Sequence, residues 1–132
     1  MRFAGRWHPA GRRVLCAAVS ESLARLEVLA HINRAQWPLD YVLQVLEFPD
    51  AWWDDALRPP TAVVVQQQAV SRSWGAQHLG SSGAFALRVP SVLVAGGACD
   101  ENVVLNADRP EVRAGLKVVE QRSLAWDARW FA

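Results

Sequence analysis

The sequence predicts a single α+β domain. Three observations lead there. Short β-like runs and two helical stretches are mixed without the regular strand–helix alternation of a parallel-sheet fold. No internal repeat and no linker divides the chain, and its 132 residues fit the range of about 100–200 that one core serves. A hydrophobic content of 52% is ample for that core.

The elements follow in order. PAGRR, residues 9–13, carries turn chemistry: Pro9 fixes φ, and Gly11 is free to take φ > 0. It feeds a short β-like run, Val14 to Ala17. Ser20 is placed to cap a helix, its hydroxyl taking an orphan amide of the next turn, so a helix is predicted over about Glu21 to Asn33. That helix is apolar almost all round and is expected to be buried. DYVLQVLEF, residues 40–48, is nearly continuously apolar and β-branched, which suits a strand covered on both faces. PDAWWDDALRPP is a turn with a short helical piece, ended by Pro59 and Pro60. TAVVVQQQ fits a strand or a helix start, and the pattern does not decide. AVSRSWGAQHL, residues 69–79, predicts a helix with Gly75 as its weak point, closed by GSSG. ALRVPSVLV, residues 86–94, alternates as a strand in which Pro90 implies an edge or a bulge. AGGACDEN is a loop, NVVLN and LKVVEQ are two more short strands, and WDARWF is an aromatic patch expected to dock on the sheet.

Composition excludes several functions. Fourteen basic and thirteen acidic side chains give a net charge of +1, so no broad field exists to hold a duplex or an anionic membrane. Neither direct nucleic-acid binding nor membrane attachment is expected. Arg2, Arg6, Arg12 and Arg13 precede the apolar run VLCAAV, but its six residues fall short of the roughly 7–15 that an export signal needs. No run approaches the roughly 18 apolar residues that span a bilayer. A cytoplasmic protein is expected. Cys16 and Cys99 form neither a CxxC pair nor a framework, and His8, His31 and His78 lack ligand spacing, so no metal is expected. Seven tryptophans exceed what a small core readily hides and point to an interface, hence to a homodimer.

Three side chains stand out chemically. Glu27 shares one helical stripe with Leu23, His31 and Arg34 on an otherwise apolar helix. A carboxylate there needs a partner or a ligand, because a buried unpaired charge is costly; the alternative is an i,i+4 pair with His31 at a solvated edge. Arg6, between Gly5 and Trp7, is able to stack on an aromatic face and fork onto a phosphate or carboxylate, or else is a solvated terminal arginine. Ser91 falls on the same strand face as Leu87, Val89 and Leu93, where a hydroxyl must find an acceptor or line a pocket. VPSV is not a GxSxG elbow, and neither GSSGAF nor AGGACDEN is a phosphate-binding Walker loop.

GRWHPAGRRVLCAAVSESLARLEVLAHI, PLDYVLQVLEFPD, SWGAQHL, LRVPSVLV and ENVVLNADRP follow one another in an order that resembles the RES domain, a family named for an arginine, a glutamate and a serine. The resemblance covers almost the whole chain and implies one RES domain over residues 1–132, short at its N-terminus because the GRW motif comes so early. By position Arg6, Glu27 and Ser91 match the three naming residues, which implies that they are catalytic. Arg6 with Trp7, Cys16, Asn102 and Asn106 fall at positions implied to bind substrate. Cys16 stands where the family has a tyrosine, His8 replaces a common asparagine, and NADRP lacks the Pro and His of NPxHP.

The resemblance implies an ADP-ribosyltransferase-like fold, with mixed or antiparallel sheets and a few packed helices. It implies a toxin of a type II toxin–antitoxin system that consumes NAD+, as substrate and not as cofactor, with phosphate or water as acceptor. Its implied partner is an Xre-type helix-turn-helix antitoxin. Two alternatives stay open at this point: a protein ADP-ribosyltransferase, and a degenerate RES module that binds its antitoxin without turnover. In the implied chemistry the nicotinamide–ribose bond breaks with oxocarbenium-like charge on the sugar, which Glu27 stabilises. Arg6 clamps the pyrophosphate or an attacking phosphate, and Ser91 supplies an orienting hydrogen bond.

Overall fold

The computed structural model describes residues 3–33, 35, 40–60, 67–94 and 100–131. Among these the chain runs β1 (Val14–Ala18), α1 (Glu21–His31), β2 (Val42–Glu47), α2 (Asp50–Asp54), α3 (Gln68–His78), β3 (Ala86–Pro90), β4 (Glu101–Asn106), α4 (Pro110–Gly115), β5 (Lys117–Ser123) and a final 3-10 turn, Ala128–Phe131. Arg34, most of TAVVVQQQ and the AGGAC half of the predicted loop lie outside the described residues. Glu101 and Asn102, expected at the end of that loop and the start of NVVLN, both belong to β4.

One antiparallel sheet carries the architecture, in the order β1–β4–β3 with β4 central. Cross-strand register places Val14, Cys16 and Ala18 opposite Asn106, Val104 and Asn102, and Leu87 and Val89 opposite Val104 and Asn102. Directly opposed residues share a face, so these eight positions form one side of the sheet. On that side Trp7 and Leu79, with Trp74 beside them, cover Val14, Leu87, Val89 and Val104. On the other side Ala86, Val103 and Leu105 meet Trp52 of α2 and Val112 of α4. There Trp52 is stacked between Phe48 and Phe85, at centroid separations of 6.0 and 5.4 Å. β4 is therefore the strand covered on both faces.

That role was expected of residues 40–48, and the structure corrects it. β2 pairs only with β5 among the described residues, in a two-stranded antiparallel ribbon with a register shift between Val45 and Leu46. Leu46 and Phe48 reach the second core, while Val42, Val45, Val118 and Val119 are exposed. A continuous apolar run marks a strand without telling whether both of its faces are covered. Pro90, by contrast, is where its chemistry requires. Among the described residues β3 is an edge strand whose outer side carries a single parallel bridge at Leu57, upstream of the proline, so the missing N–H costs nothing.

Ser20 caps α1 as predicted, its Oγ accepting from Leu23 N–H at 3.2 Å. The helix is not buried all round: Leu23 is its one fully buried residue, and most others are half-buried. It lies on the sheet as an amphipathic lid and stops at His31, short of Asn33. The His31 ring ends it, Nδ1–H donating to the Glu27 carbonyl at 2.7 Å. Glu21 in the first turn pairs with Arg25 and also with Arg122 of β5, tying α1 to the ribbon. These two guanidinium groups hold the Glu21 carboxyl below the usual range, the Arg25 hydrogen bond being the larger cause.

Of the C-terminal aromatic patch, Trp126 docks against α1. The Arg25 guanidinium lies 5.2 Å from the centre of the Trp126 ring, and its Nη1 donates to the Ala125 carbonyl at 2.6 Å. Of the six described tryptophans Trp130 alone is exposed, so the remaining five are largely absorbed by packing. α4 was not expected, although Pro110 at its first position and Glu111 in its first turn are ordinary start signals. Among the described residues no helix is long and apolar enough to cross a membrane.

Candidate active site

The site is assembled on one sheet face by three elements far apart in sequence. β4 supplies Asn102, the first of its residues to point to the face shared with Val104. α1 crosses above that end and lowers Glu27 onto it. The small side chain of Ala18, opposite Asn102 in the register, leaves room for this approach. The chain leaving β3 then turns at Ser91, whose N–H donates to the Asp100 carbonyl at 3.1 Å, extending the pairing by one residue beyond Pro90.

The three side chains converge on a single atom. Asn102 Nδ2 donates to Glu27 Oε1 at 2.7 Å, and Ser91 Oγ donates to the same oxygen at 3.0 Å. Ser91 is only 4% exposed, and its Oγ in turn accepts from Leu93 N–H at 3.2 Å. Of the two sequence alternatives for Glu27 this selects the first: the carboxylate has polar partners on the sheet, while His31 bonds to the backbone. The acidic neighbour of Asn102, Glu101, points to the other side of the sheet. There it pairs with Arg88 at 2.7 Å and Arg58 at 3.0 Å, and Arg88 lies 3.7 Å over the Trp53 ring. Glu27 is thus the acid presented on the α1 side.

Cys16 stands on the same face, opposite Val104. The residue as a whole is exposed, yet protein packed around the sulfur pushes the thiol above its ordinary range, and the Glu27 charge adds to this. The effect marks Cys16 as a neighbour of the carboxylate. A short thiol stands here in place of the larger aromatic ring of a tyrosine.

Arg6 is half-buried in the segment that leads into β1. Its neighbours are fixed to α3: the Gly5 carbonyl accepts from Arg72 Nε at 2.9 Å, and the Trp7 backbone lies directly against Gly75. Gly75 is therefore a contact point where α3 admits no side chain. Trp7 itself is 7% exposed and packs edge-on against Trp74 at 5.9 Å. It supports the lead-in from within the core. His8 is also buried, and Gly5 has no Cβ because the His8 ring occupies that space.

Asn106 does not join the cluster. It lies four residues along β4 from Asn102, roughly 13 Å away at the rise of a strand. Its Nδ2 donates to the Gly80 and Ala84 carbonyls, each at 2.8 Å, and its Oδ1 accepts from Asp108 N–H at 3.3 Å. With no exposed surface, its side chain is used in holding the turn after α3. The contact that sequence reasoning missed is Asn102 to Glu27. A signal for it existed, since alternation in ENVVLN places Asn102 on the inward face with Val104, where a polar group requires a partner. Among the described residues no group of three or more His, Cys, Asp or Glu side chains is gathered as a metal site.

The fold and the site define a small antiparallel α+β domain in which a helical glutamate is held by a serine just beyond an edge strand, with an arginine in the Gly-Arg-Trp lead-in. The chain belongs to the RES domain family, whose model matches residues 1–127. Among named relatives it is 33% identical to the "Prs ADP-ribosylating toxin" of Sphingobium sp. (strain YBL2), over 95% of this chain and 79% of that protein. It is also 33% identical to "Toxin Res" of Pseudomonas putida (strain KT2440), over 91% of this chain and 82% of that one. A third relative, "Toxin Res" of Photorhabdus laumondii, is 28% identical over 96% of this chain and 81% of its own length.

Proposed function

We propose that the chain is a NAD+-consuming toxin that breaks the nicotinamide–ribose bond and passes the ADP-ribosyl group to phosphate or water. The observation that carries this reading is the Glu27 carboxylate held by both Ser91 and Asn102 on the α1 side of the sheet. The bond from ribose C1′ to the nicotinamide nitrogen breaks with its electron pair going to nicotinamide, which departs as a neutral base and needs no strong general acid. The sugar gains oxocarbenium-like charge, and a carboxylate fixed beside it lowers the barrier electrostatically. An acceptor oxygen then bonds to C1′, and its proton is released to solvent. Arg6, fixed to α3 through its neighbours, serves as the clamp for the pyrophosphate or the attacking phosphate. NAD+ is substrate here, and no resident cofactor is invoked.

A second reading, transfer of ADP-ribose to a protein, is favoured by the name of the Sphingobium relative. Family membership supports an Xre-type helix-turn-helix antitoxin as the partner that restrains either activity. The test is incubation of purified protein with NAD+, with and without phosphate, followed by chromatography of the products. Free nicotinamide with a phosphate-dependent ADP-ribose product supports phosphorolysis, and ADP-ribose alone supports hydrolysis. Label from NAD+ that appears only on protein in added lysate shifts the assignment to the second reading. Absence of nicotinamide under all conditions refutes both.

A further inference from the structure

We propose that Asn102 is a positioning residue acting through Glu27: together with Ser91 it fixes one carboxylate oxygen as an acceptor and leaves the other as the atom that meets the sugar. The inference rests on the reading of Glu27 as the reacting carboxylate, and it concerns which of its atoms works and what aims it.

The direction of each hydrogen bond follows from donor chemistry. An amide NH2 only donates, so the 2.7 Å bond from Asn102 Nδ2 runs toward Glu27 Oε1. The reversed amide would set two acceptor oxygens against each other at that distance. The Ser91 hydroxyl accepts from Leu93 N–H at 3.2 Å, and since a carboxylate oxygen accepts, its own proton goes to the same Oε1 at 3.0 Å. Two donors therefore address one oxygen, leaving no place there for a proton. Both bonds are charge-assisted, the stronger kind. Held this way, Glu27 offers Oε2 as an acceptor for a ribose hydroxyl and as the negative atom beside the developing charge.

The aim of the amide comes from the sheet. β4 is paired on both sides, and Asn102 is flanked in register by Ala18 and Val89, neither of which carries a polar side chain to compete for it. Ser91 sits on the first residue beyond an edge strand, a looser mount than the central strand. Asn102 thus provides the rigid half of the clamp. A group that orients a catalytic carboxylate without touching substrate contributes in the transition state, so its loss falls on kcat and not on KM.

The test compares Asn102→Asp, Asn102→Ala and Ser91→Ala with wild type. Asn102→Asp keeps the shape and replaces the donor with an acceptor; Asn102→Ala removes the donor and introduces no new charge. In nicotinamide release, kcat is expected to fall about 10²-fold in Asn102→Asp and about tenfold in Asn102→Ala, with KM for NAD+ within about twofold of wild type. A second readout is independent of turnover: the Glu27 carboxyl carbon resonance, assigned by its loss in Glu27→Gln and recorded without NAD+. It is expected to move in both Asn102 variants and in Ser91→Ala. If wild type releases no nicotinamide while the resonance moves as described, the proposed activity fails and the clamp stands. If wild type turns over and the Asn102 variants lose affinity at unchanged kcat, Asn102 contacts substrate and the inference is overturned. An unmoved Glu27 resonance, or Asn102→Asp with full kcat, overturns it as well.

Discussion

Gly75 gives the sharpest test of how the lead-in is held. A Cβ added there would fall within the envelope of the Trp7 carbonyl, 2.7 Å from its carbon and 3.4 Å from Trp7 Cα. The obstacle is backbone and has no rotamer to change, so Gly75→Ala must push α3 off the lead-in. Trp7 is 7% exposed, and moving its backbone drags a buried indole out of the first core. Overpacking of this kind costs about 1–3 kcal/mol, and the rigid neighbour places this case near the upper end. Alanine returns about 1 kcal/mol as the better helix former. The net expectation is a loss of about 2 kcal/mol, a factor of about 30 in the folding equilibrium. Urea denaturation should show a lower midpoint at unchanged slope, with a melting temperature down on the order of 5–15 °C. Ser73→Ala, at an exposed position of the same helix, should stay within about 0.5 kcal/mol of wild type. If Gly75→Ala matches or exceeds wild-type stability, as helix propensity alone dictates, the close approach of α3 to Trp7 is refuted.

Two further predictions separate structural from chemical roles on the sheet face. Asn106→Ala strands the Ala84 carbonyl and the Asp108 N–H, while the Gly80 carbonyl keeps its bond from Gly83 N–H, and at about 1 kcal/mol for each stranded group the loss should reach about 2 kcal/mol. A substrate contact would instead leave the melting temperature in place and raise KM, and thermal denaturation beside kinetics distinguishes the two. Cys16 should alkylate more slowly at pH 8 than a thiol in a peptide, because loss of solvent and then the Glu27 charge both disfavour its thiolate. With its folded pKa raised, the native state keeps a proton that the unfolded chain has lost. Stability should therefore fall as pH rises above the ordinary thiol range, and Cys16→Ser should flatten that limb. Glu27→Gln should speed alkylation of the peptide that contains residue 16, as followed by mass spectrometry. Equal rates in the two proteins would contradict the assigned proximity.

Local chemistry was legible wherever one residue type has one use. Ser20 caps α1, and Pro90 marks an edge. Those features depend on neighbours a few positions away. Burial was not legible to the same degree. The run over residues 40–48 was too apolar to reveal that, among the described residues, β2 pairs only with β5, and the leucines of α1 suggested a covered helix where a half-buried one lies. Gly75 was read as a helix-weakening residue, since its reason is the Trp7 backbone, which reaches it from 68 positions earlier.

The site shows the same division. Glu27 stood out as a lone carboxylate on an apolar helix, and Ser91 as a hydroxyl on an apolar strand face. What joins them spans 64 residues for Ser91 and 75 for Asn102, and no local periodicity encodes a contact at that separation. The ordered motifs of the RES family pair Glu27 with Ser91 as two of its three naming residues. Asn102 was placed by the same motifs against substrate, and its bond to Glu27 follows from the register of β4.

Glu27 is the group proposed to act on the ribose of NAD+, and everything else at the site serves it. The direct measurement is nicotinamide release by wild type and Glu27→Gln at saturating NAD+, alongside their melting temperatures and NAD+ affinities by calorimetry. Glutamine preserves the shape and removes the charge that faces the sugar. Turnover is expected to fall by about 10³-fold or more, with affinity within a few-fold and folding retained. Turnover by Glu27→Gln equal to that of wild type would contradict the central claim.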